Sequence, residues 1–166
     1  MGIANLFDDN GAEFSADKKY RYALWRIWNS EKPLVMFIGL NPSKATENAN
    51  DNTITKVIKV ARNNGFGGLY MMNLFAYITP HPEELKKCKD PLGDNDGWLE
   101  KVAPKCKRIV FAWGNFKEAK ERSEQVVKMF DSPHCFVQNK NGSPKHPLYC
   151  LDETVFIPFK KPQTKK

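Results

Sequence analysis

Polar side chains that can make specific hydrogen bonds follow several apolar segments of this 166-residue chain. The apolar run Leu34–Gly39 leads into Asn41, a second run ends at Asn73, a third ends at Trp113-Gly114, and a later Gly/Pro-rich segment carries His146. An amide offers both donors and an acceptor, and a neutral histidine offers one of each. These residue types therefore indicate a polar ligand site, provided that the fold brings them together.

Strands that alternate with helices would bring them together. The pattern predicts a three-layer α/β/α fold with a central, mostly parallel sheet of four to five strands. The carboxyl ends of parallel strands lie at one edge of the sheet, where ligands bind. The predicted strands cover residues 18–28, 34–39, 68–77, 107–114 and 134–138, and the predicted helices cover 53–65, 83–89, 95–103 and 115–130. Residues 1–16 indicate an irregular start.

The aromatic-rich first strand alternates, which places Tyr22 and Leu24 on one face and Arg21 on the other. The run Leu34–Gly39 is apolar at every position, which is typical of a strand that is buried on both faces.

Each candidate residue also has a structural explanation. Asn41 precedes a proline and suits a turn, whereas Asn73 inside an apolar strand needs a hydrogen-bond partner, which backbone groups can supply. Trp113 suits core packing, and His146 suits an exposed loop. Asp51 either caps the following helix or faces the site.

Composition limits the class of protein. The chain is 41% hydrophobic and 27% charged, and no apolar run reaches the roughly 18 residues of a membrane span. We therefore expect a cytoplasmic protein with no membrane partner, monomeric by default. The four cysteines form no C-x-x-C pair, so we expect no metal and no cofactor.

Charge and length suggest one basic domain. The formal charge of +7 suits a polyanionic partner, but four lysines of the tail contribute more than half of it. We predict a single α/β domain at residues 1–159 and a basic C-terminal tail at residues 160–166.

Six ordered motifs resemble the family catalogued as domain of unknown function 1643. They are YRYALWRIW, FIGLNPSKATENANDNTI, MMNLFAY, DPLGDND, FAWG and GSPKHPLY, and they span about residues 18–150. Because that family is catalogued without an activity, the resemblance supplies no function.

Four segments are also similar, in order and spacing, to the uracil-DNA glycosylase superfamily. There, one strand ends in a Gly-x-Asn-Pro or Gly-x-Asp-Pro loop and a later strand ends in an asparagine, followed by an LLWG-like strand and an HPSPLS-like loop. Here the segments are GLNPS, YMMN, FAWG and KHPLY. The resemblance implies a uracil-DNA-glycosylase-like fold and a protein that recognises a flipped or modified nucleobase and would hydrolyse its N-glycosidic bond. The alternative is a non-catalytic nucleic-acid- or nucleotide-binding protein on the same fold.

This resemblance gives three residues a catalytic role. Asn41 would place the attacking water, and His146 would donate a hydrogen bond to the base, stabilising the negative charge that develops on it. The most active branch has an aspartate where this chain has Asn41, so Asp51 would have to substitute for that carboxylate.

The remaining expected contacts follow from the same motifs. Asn73 would read a pyrimidine edge, and Phe75, Tyr77 or Phe37 would stack on the base. Pro147 and Leu148 would lie near the DNA backbone or wedge. The full set expected to bind substrate is Gly39, Leu40, Pro42, Ser43, Asn73, Phe75, Trp113, Gly114, Pro147 and Leu148. Arg21, Lys44 and Lys145 are expected to contact phosphate. The expected partner is a nucleic acid, DNA rather than RNA, or a nucleotide.

Overall fold

A computed structural model describes residues 9–46 and 48–162 of the chain. Seven strands of this part form one sheet in the order β1-β2-β4-β3-β5-β6-β7. The strands are β1 (Asp9–Phe14), β2 (Arg21–Ile27), β3 (Leu34–Gly39), β4 (Gly68–Asn73), β5 (Arg108–Phe111), β6 (His134–Cys135) and β7 (Ile157–Pro158). The helices are α1 (Asn52–Asn63), α2 (Asn95–Val102) and α3 (Lys120–Val127). Single 3-10 turns occur at Pro82–Leu85, Ala103–Lys105, Lys117–Ala119 and Pro147–Tyr149.

The centre of the sheet is parallel and its edges are antiparallel. Strands β4, β3, β5 and β6 pair in parallel, whereas β1, β2 and β7 join by antiparallel pairing. The predicted mixed α/β class with a parallel centre is confirmed, but the prediction of four to five strands was wrong. The segment predicted to be irregular contains β1, whose sequence DNGAEF has no apolar alternation. Backbone pairing with β2 forms this strand, and Gly11 leaves room for the ring of Trp25.

Helices cover both faces of the sheet. Along β3, Val35 and Phe37 lie in the apolar cluster that contains the buried residues of α1. Met36 and Ile38 lie in the second cluster, with buried residues of α2 and α3. This strand is therefore buried on both faces, as its unbroken apolar sequence predicts.

A bulge in β2 reverses the predicted faces of Arg21 and Tyr22. The register with β1 shifts at this point, where β2 has one extra residue. Strict alternation predicts Tyr22 on the face of Leu24, which packs in the α1 cluster. Instead the Tyr22 ring stacks on Trp98 of α2, with centroids 6.0 Å apart, and Arg21 Nη1 donates to the Ala45 carbonyl oxygen over 3.0 Å. The bulge thus turns the guanidinium toward the polar loop before α1.

The sheet topology creates a crevice at its carboxyl edge. The chain passes from β3 through α1 to β4 on one side, and then returns through α2 to β5 on the other side of β3. Because the direction of winding reverses at β3, the loops after β3 and β5 diverge and leave space between them.

Several predicted boundaries differ from the observed ones. Strand β4, predicted at residues 68–77, ends at Asn73 rather than Tyr77, and the predicted helix at 83–89 is only the 3-10 turn Pro82–Leu85. In the predicted tail, the Lys160 N–H donates to Gln138, while residues 163–166 and residues 1–8 lie outside the described part. Within that part, no helix is long and apolar enough to cross a membrane.

Arg26 of β2 holds the polar loop between β3 and α1. Its side chain is 1% exposed and donates to the carbonyl oxygens of Thr46 (2.6 Å) and Ala49 (3.3 Å). Its Nε donates to Oδ1 of Asn50 over 2.9 Å. A loop rich in polar residues thus obtains its hydrogen-bond donors from a neighbouring strand.

Replacing Arg26 with methionine should lower the free energy of unfolding by about 2–4 kcal/mol, because several loop acceptors lose their donor. Urea unfolding followed by circular dichroism measures this change. Arg62→Met is the matched control, because Arg62 is exposed and lies over the Trp28 ring, a contact worth about 0.5–1 kcal/mol. Equal losses in the two variants would contradict the assigned role of Arg26.

Candidate functional site

A cavity of about 170 Å³ lies at the carboxyl edge of the central strands. The residues after β3, the end of β4, the loop after β5 and the start of α1 all contribute to its wall. Nine of the predicted site residues line it: Arg21, Gly39, Leu40, Asn41, Pro42, Ser43, Asp51, Asn73 and His146. Eight further residues also line it: Thr53, Ile54, Met71, Thr79, Pro80, Pro82, Ala112 and Phe116. The two asparagines and the histidine that the sequence singled out are therefore brought together.

The side chain of Asn73 is buried at the cavity without a protein partner. The residue is 3% exposed, and no described residue hydrogen-bonds its carboxamide. Its backbone is well held, because the carbonyl oxygen accepts from Nδ2 of Asn95 over 2.8 Å. The predicted backbone partner for this amide is absent from the described part. Neither of its polar atoms is sealed from the cavity, so its donor and acceptor are available to a ligand.

Gly39 lets this amide occupy the cavity wall. It pairs with Asn73 in the parallel register of β3 and β4. A Cβ at position 39 would lie 2.7 Å from Cε of Met71 and 2.9 Å from Oδ1 of Asn73. A side chain here would therefore displace the amide, which explains the glycine at the end of a buried strand.

The carboxamide of Asn41 is fixed in one orientation. Its Nδ2 donates to the carbonyl oxygens of Thr79 (2.8 Å) and Pro42 (3.0 Å) and approaches that of Tyr77 (3.4 Å). Since the amide group is planar and its nitrogen is engaged, Oδ1 is left as the acceptor, and no described donor reaches it. The chain beyond β4 thus orients this side chain, which Asn-Pro turn chemistry alone would not do.

His146 is neutral and presents one ring nitrogen as a donor. Its Nδ1 accepts from the Leu148 N–H over 3.2 Å, which leaves the ring proton on Nε2. Burial lowers the pKa of His146 below the ordinary 6.5, although the nearby charge of Asp51 acts in the opposite direction. The imidazole is therefore uncharged at pH 7 with an Nε2–H group.

Asp51 and Arg21 are the charged groups among the described residues of the cavity wall. Asp51 caps α1, since its Oδ1 accepts from the Ile54 N–H over 2.9 Å, and it also lines the cavity. The two alternatives for this residue are therefore compatible. Arg21 is 4% exposed, and no described carboxylate lies within 4 Å of its guanidinium.

Two predicted aromatic contacts lie in the core instead of the cavity wall. Trp113 is buried against Phe111, with ring centroids 4.5 Å apart, in the cluster that packs on α2 and α3. Phe75 is buried in the same cluster. Neither residue lines the cavity.

Phe116 is the aromatic residue that the sequence reasoning missed. It lines the cavity and is 37% exposed, although phenylalanine is usually buried. It follows β5 within the segment WGNF, so its place after a strand end was the available signal. Gly114 leaves room for this arrangement. It has φ +81°, and a Cβ there would lie 3.0 Å from the Phe116 ring and 3.3 Å from Cβ of His146.

The other predicted contacts are not on the cavity wall. Pro147 is buried in the turn after His146, and Leu148 is exposed beside it. Lys44 is exposed and Lys145 is half-buried in the loops next to the site. These residues therefore reach only a ligand that extends beyond the cavity.

The described residues offer neither a metal-binding cluster nor an activated cysteine. Across residues 9–46 and 48–162, no group of three or more His, Cys, Asp or Glu side chains is placed to hold a metal ion. The four cysteines are free, and burial raises the pKa of Cys106 to about 12 and that of Cys135 to about 11. Those two thiols are therefore protonated at neutral pH and weak as nucleophiles.

Comparison with known proteins identifies one family. The sequence profile of a family described as "Protein of unknown function (DUF1643)" matches residues 21–148. This range contains every residue that lines the cavity. No curated protein and no solved structure matches the chain.

The arrangement of His146 predicts its protonation in solution. Long-range ¹H–¹⁵N spectra should show the Nε2–H tautomer at pH 7 and a pKa below 6.5, because burial disfavours the charged ring. The chain has only three histidines, so the loss of one signal in His146→Asn assigns the resonance. A proton on Nδ1, or a pKa above 6.5, would contradict the described hydrogen bond to Leu148.

Proposed function

The chain belongs to the DUF1643 family, and we propose that it is a DNA-glycosylase-like protein that recognises a flipped or modified nucleobase and hydrolyses its N-glycosidic bond. The observation that carries this proposal is the carboxamide of Asn73, buried at the cavity and without a protein partner. A pyrimidine of the uracil type presents an N–H donor beside a carbonyl acceptor. A carboxamide can accept from that N–H and donate to that oxygen, so the two edges are complementary.

His146 suits the second requirement of this reaction. Breaking the bond between sugar and base leaves negative charge on the base. An uncharged imidazole that carries its proton on Nε2 can donate a hydrogen bond to a base oxygen and so stabilise that charge. Phe116 offers the exposed ring on which the base would stack, the role first expected of Phe75.

Asn41 and Asp51 suit the third requirement, a placed water. Oδ1 of Asn41 would accept one hydrogen of the water, and the carboxylate of Asp51 would take the other as a proton. The water oxygen then bonds to C1′ of the sugar as the bond from C1′ to the base nitrogen breaks. The electron pair of that bond leaves with the base, which later takes up a proton. Extruding the nucleotide from a duplex costs a few kcal/mol, which contacts inside the cavity would offset.

The resemblance of GLNPS, YMMN, FAWG and KHPLY to the uracil-DNA glycosylase superfamily supports the same proposal. The first, second and last of these motifs contribute Asn41, Asn73 and His146 to one cavity wall.

One observation favours a second candidate, a protein on this fold that binds a nucleotide or nucleic acid without cleaving it. Position 41 carries an amide, which accepts a hydrogen bond but not a proton, and the nearby carboxylate of Asp51 already caps a helix. Binding of nucleic acid would then weaken steeply with salt, because each phosphate contact releases counterions.

An excision assay tests the glycosylase proposal. Oligonucleotides that carry uracil, hydroxymethyluracil or mismatched bases, in single and double strands, should yield alkali-labile abasic sites. Asn41→Ala and His146→Asn should each lower the single-turnover rate by about 10²–10³-fold, since each removes a group that acts on the reacting atoms. Lys120→Ala is the control, because Lys120 is exposed on α3 and does not line the cavity.

The two candidate functions give different results in this assay. If no abasic product forms on any substrate, and Asn41→Ala leaves the affinity for DNA unchanged, the glycosylase proposal is wrong. Salt-dependent binding of the same oligonucleotides, without product, would favour the second candidate.

A further inference from the structure

Arg21 places a positive charge inside the cavity rather than on the protein surface. The residue lines the cavity wall and is 4% exposed. Its position results from the bulge in β2, which turns the side chain toward the α1 face of the sheet. The guanidinium is therefore held at the cavity wall rather than in bulk solvent.

The guanidinium is largely without partners in the described part of the chain. Nη1 donates to the Ala45 carbonyl oxygen over 3.0 Å, and this is its only described hydrogen bond. Nε is fully buried and has no hydrogen-bond partner. An arginine carries five N–H groups, and buried ones without acceptors are costly. The guanidinium therefore has N–H groups without an acceptor, and a ligand can supply one.

Arg21 is the cationic side chain among the described residues of the cavity wall. Burial lowers the pKa of Arg21 to about 10, so the side chain is still protonated at pH 7. Among the described residues, Asp51 is the one carboxylate on the cavity wall; its charge favours the protonated form of Arg21, and its Oδ1 caps α1. The positive end of the α1 dipole also faces the cavity, where Thr53 and Ile54 line it.

We propose that Arg21 and the start of α1 form an oxyanion subsite within the cavity, so that the ligand is a heterocycle that carries a carboxylate or a phosphate close to its ring. The inference rests on the proposed function in one respect: it takes the ligand of the same cavity to be a base-like ring that meets Asn73. The cavity of about 170 Å³ is smaller than the roughly 300 Å³ of the smallest drug-sized pockets, so it would hold the ring and its anion while a sugar extends beyond it.

Calorimetric titration of the full chain with five probes tests the subsite. The probes are uracil, uracil-5-carboxylate, uracil-6-carboxylate, uridine 5′-monophosphate and inorganic phosphate. At least one of the three anionic ring compounds should bind about tenfold or more tightly than uracil, because a charged hydrogen bond to a buried guanidinium is stronger than a neutral one. Tighter binding of a uracil carboxylate would identify the anion as a carboxylate, and tighter binding of uridine 5′-monophosphate would identify it as a phosphate.

Variants test whether Arg21 causes the tighter binding of the anionic compounds. In Arg21→Met the advantage of the anionic compounds over uracil should disappear, whereas Arg21→Lys should keep part of it. Asn73→Leu is the matched variant, and it should weaken all ring compounds but leave the binding of inorganic phosphate unchanged. The comparison among probes uses the unaltered protein, so it stands even if Arg21→Met does not fold.

The outcomes separate this inference from the proposed function. If uracil binds and the anionic compounds bind no more tightly, the subsite is wrong and the base site stands. If phosphate binds in an Arg21-dependent way but no ring compound binds, the anion site stands and the base-like ring of the ligand is wrong. If none of the five probes binds, the subsite is wrong, and the excision assay alone decides the proposed function.

Discussion

The structure depends on the hydrogen bonds that two buried arginines of β2 donate to the loop between β3 and α1. Arg26 binds the carbonyl oxygens of Thr46 and Ala49, and Arg21 binds that of Ala45. Within this loop the Thr46 N–H donates to the Ala49 carbonyl oxygen, while the carbonyl oxygens of Ala45 and Thr46 accept from the arginines. Because these donors come from a strand fixed in the sheet, they hold Ala45, Thr46 and Ala49 at defined positions before α1.

The same edge of the sheet leaves selected polar groups unpaired while it satisfies the backbone around them. Asn95 and Arg122 donate to the carbonyl oxygens after β4, including that of Leu74, so the main chain there is held from α2 and α3. The side chains of Asn73 and Arg21 nevertheless lack described partners for most of their polar atoms. An unsatisfied buried group costs about 1–3 kcal/mol, and such a cost is typical of sites built to bind a ligand.

Sequence patterns located the central strands but not the edges. The run Leu34–Gly39 needs burial on both faces, so its place in the middle of a parallel sheet could be predicted. Strand β1 could not, because it is formed by pairing with β2 rather than by apolar alternation. Likewise, nothing in the local sequence distinguishes Phe75, which packs in the core, from Phe116, which lines the cavity. Whether each ring packs in the core or lines the cavity is set by distant elements.

The sequence alone determined which residue types stand after the strands: Asn41 after β3, Asn73 at the end of β4, and His146 in a later loop. Strand topology then brings such positions to one edge, so a shared site could be expected. Only the tertiary structure decided how these groups are presented. The bulge turned Arg21 into the cavity, and the Leu148 N–H fixed the tautomer of His146. Such orientations depend on contacts between residues far apart in the chain or on local backbone geometry, which residue types and spacing do not specify.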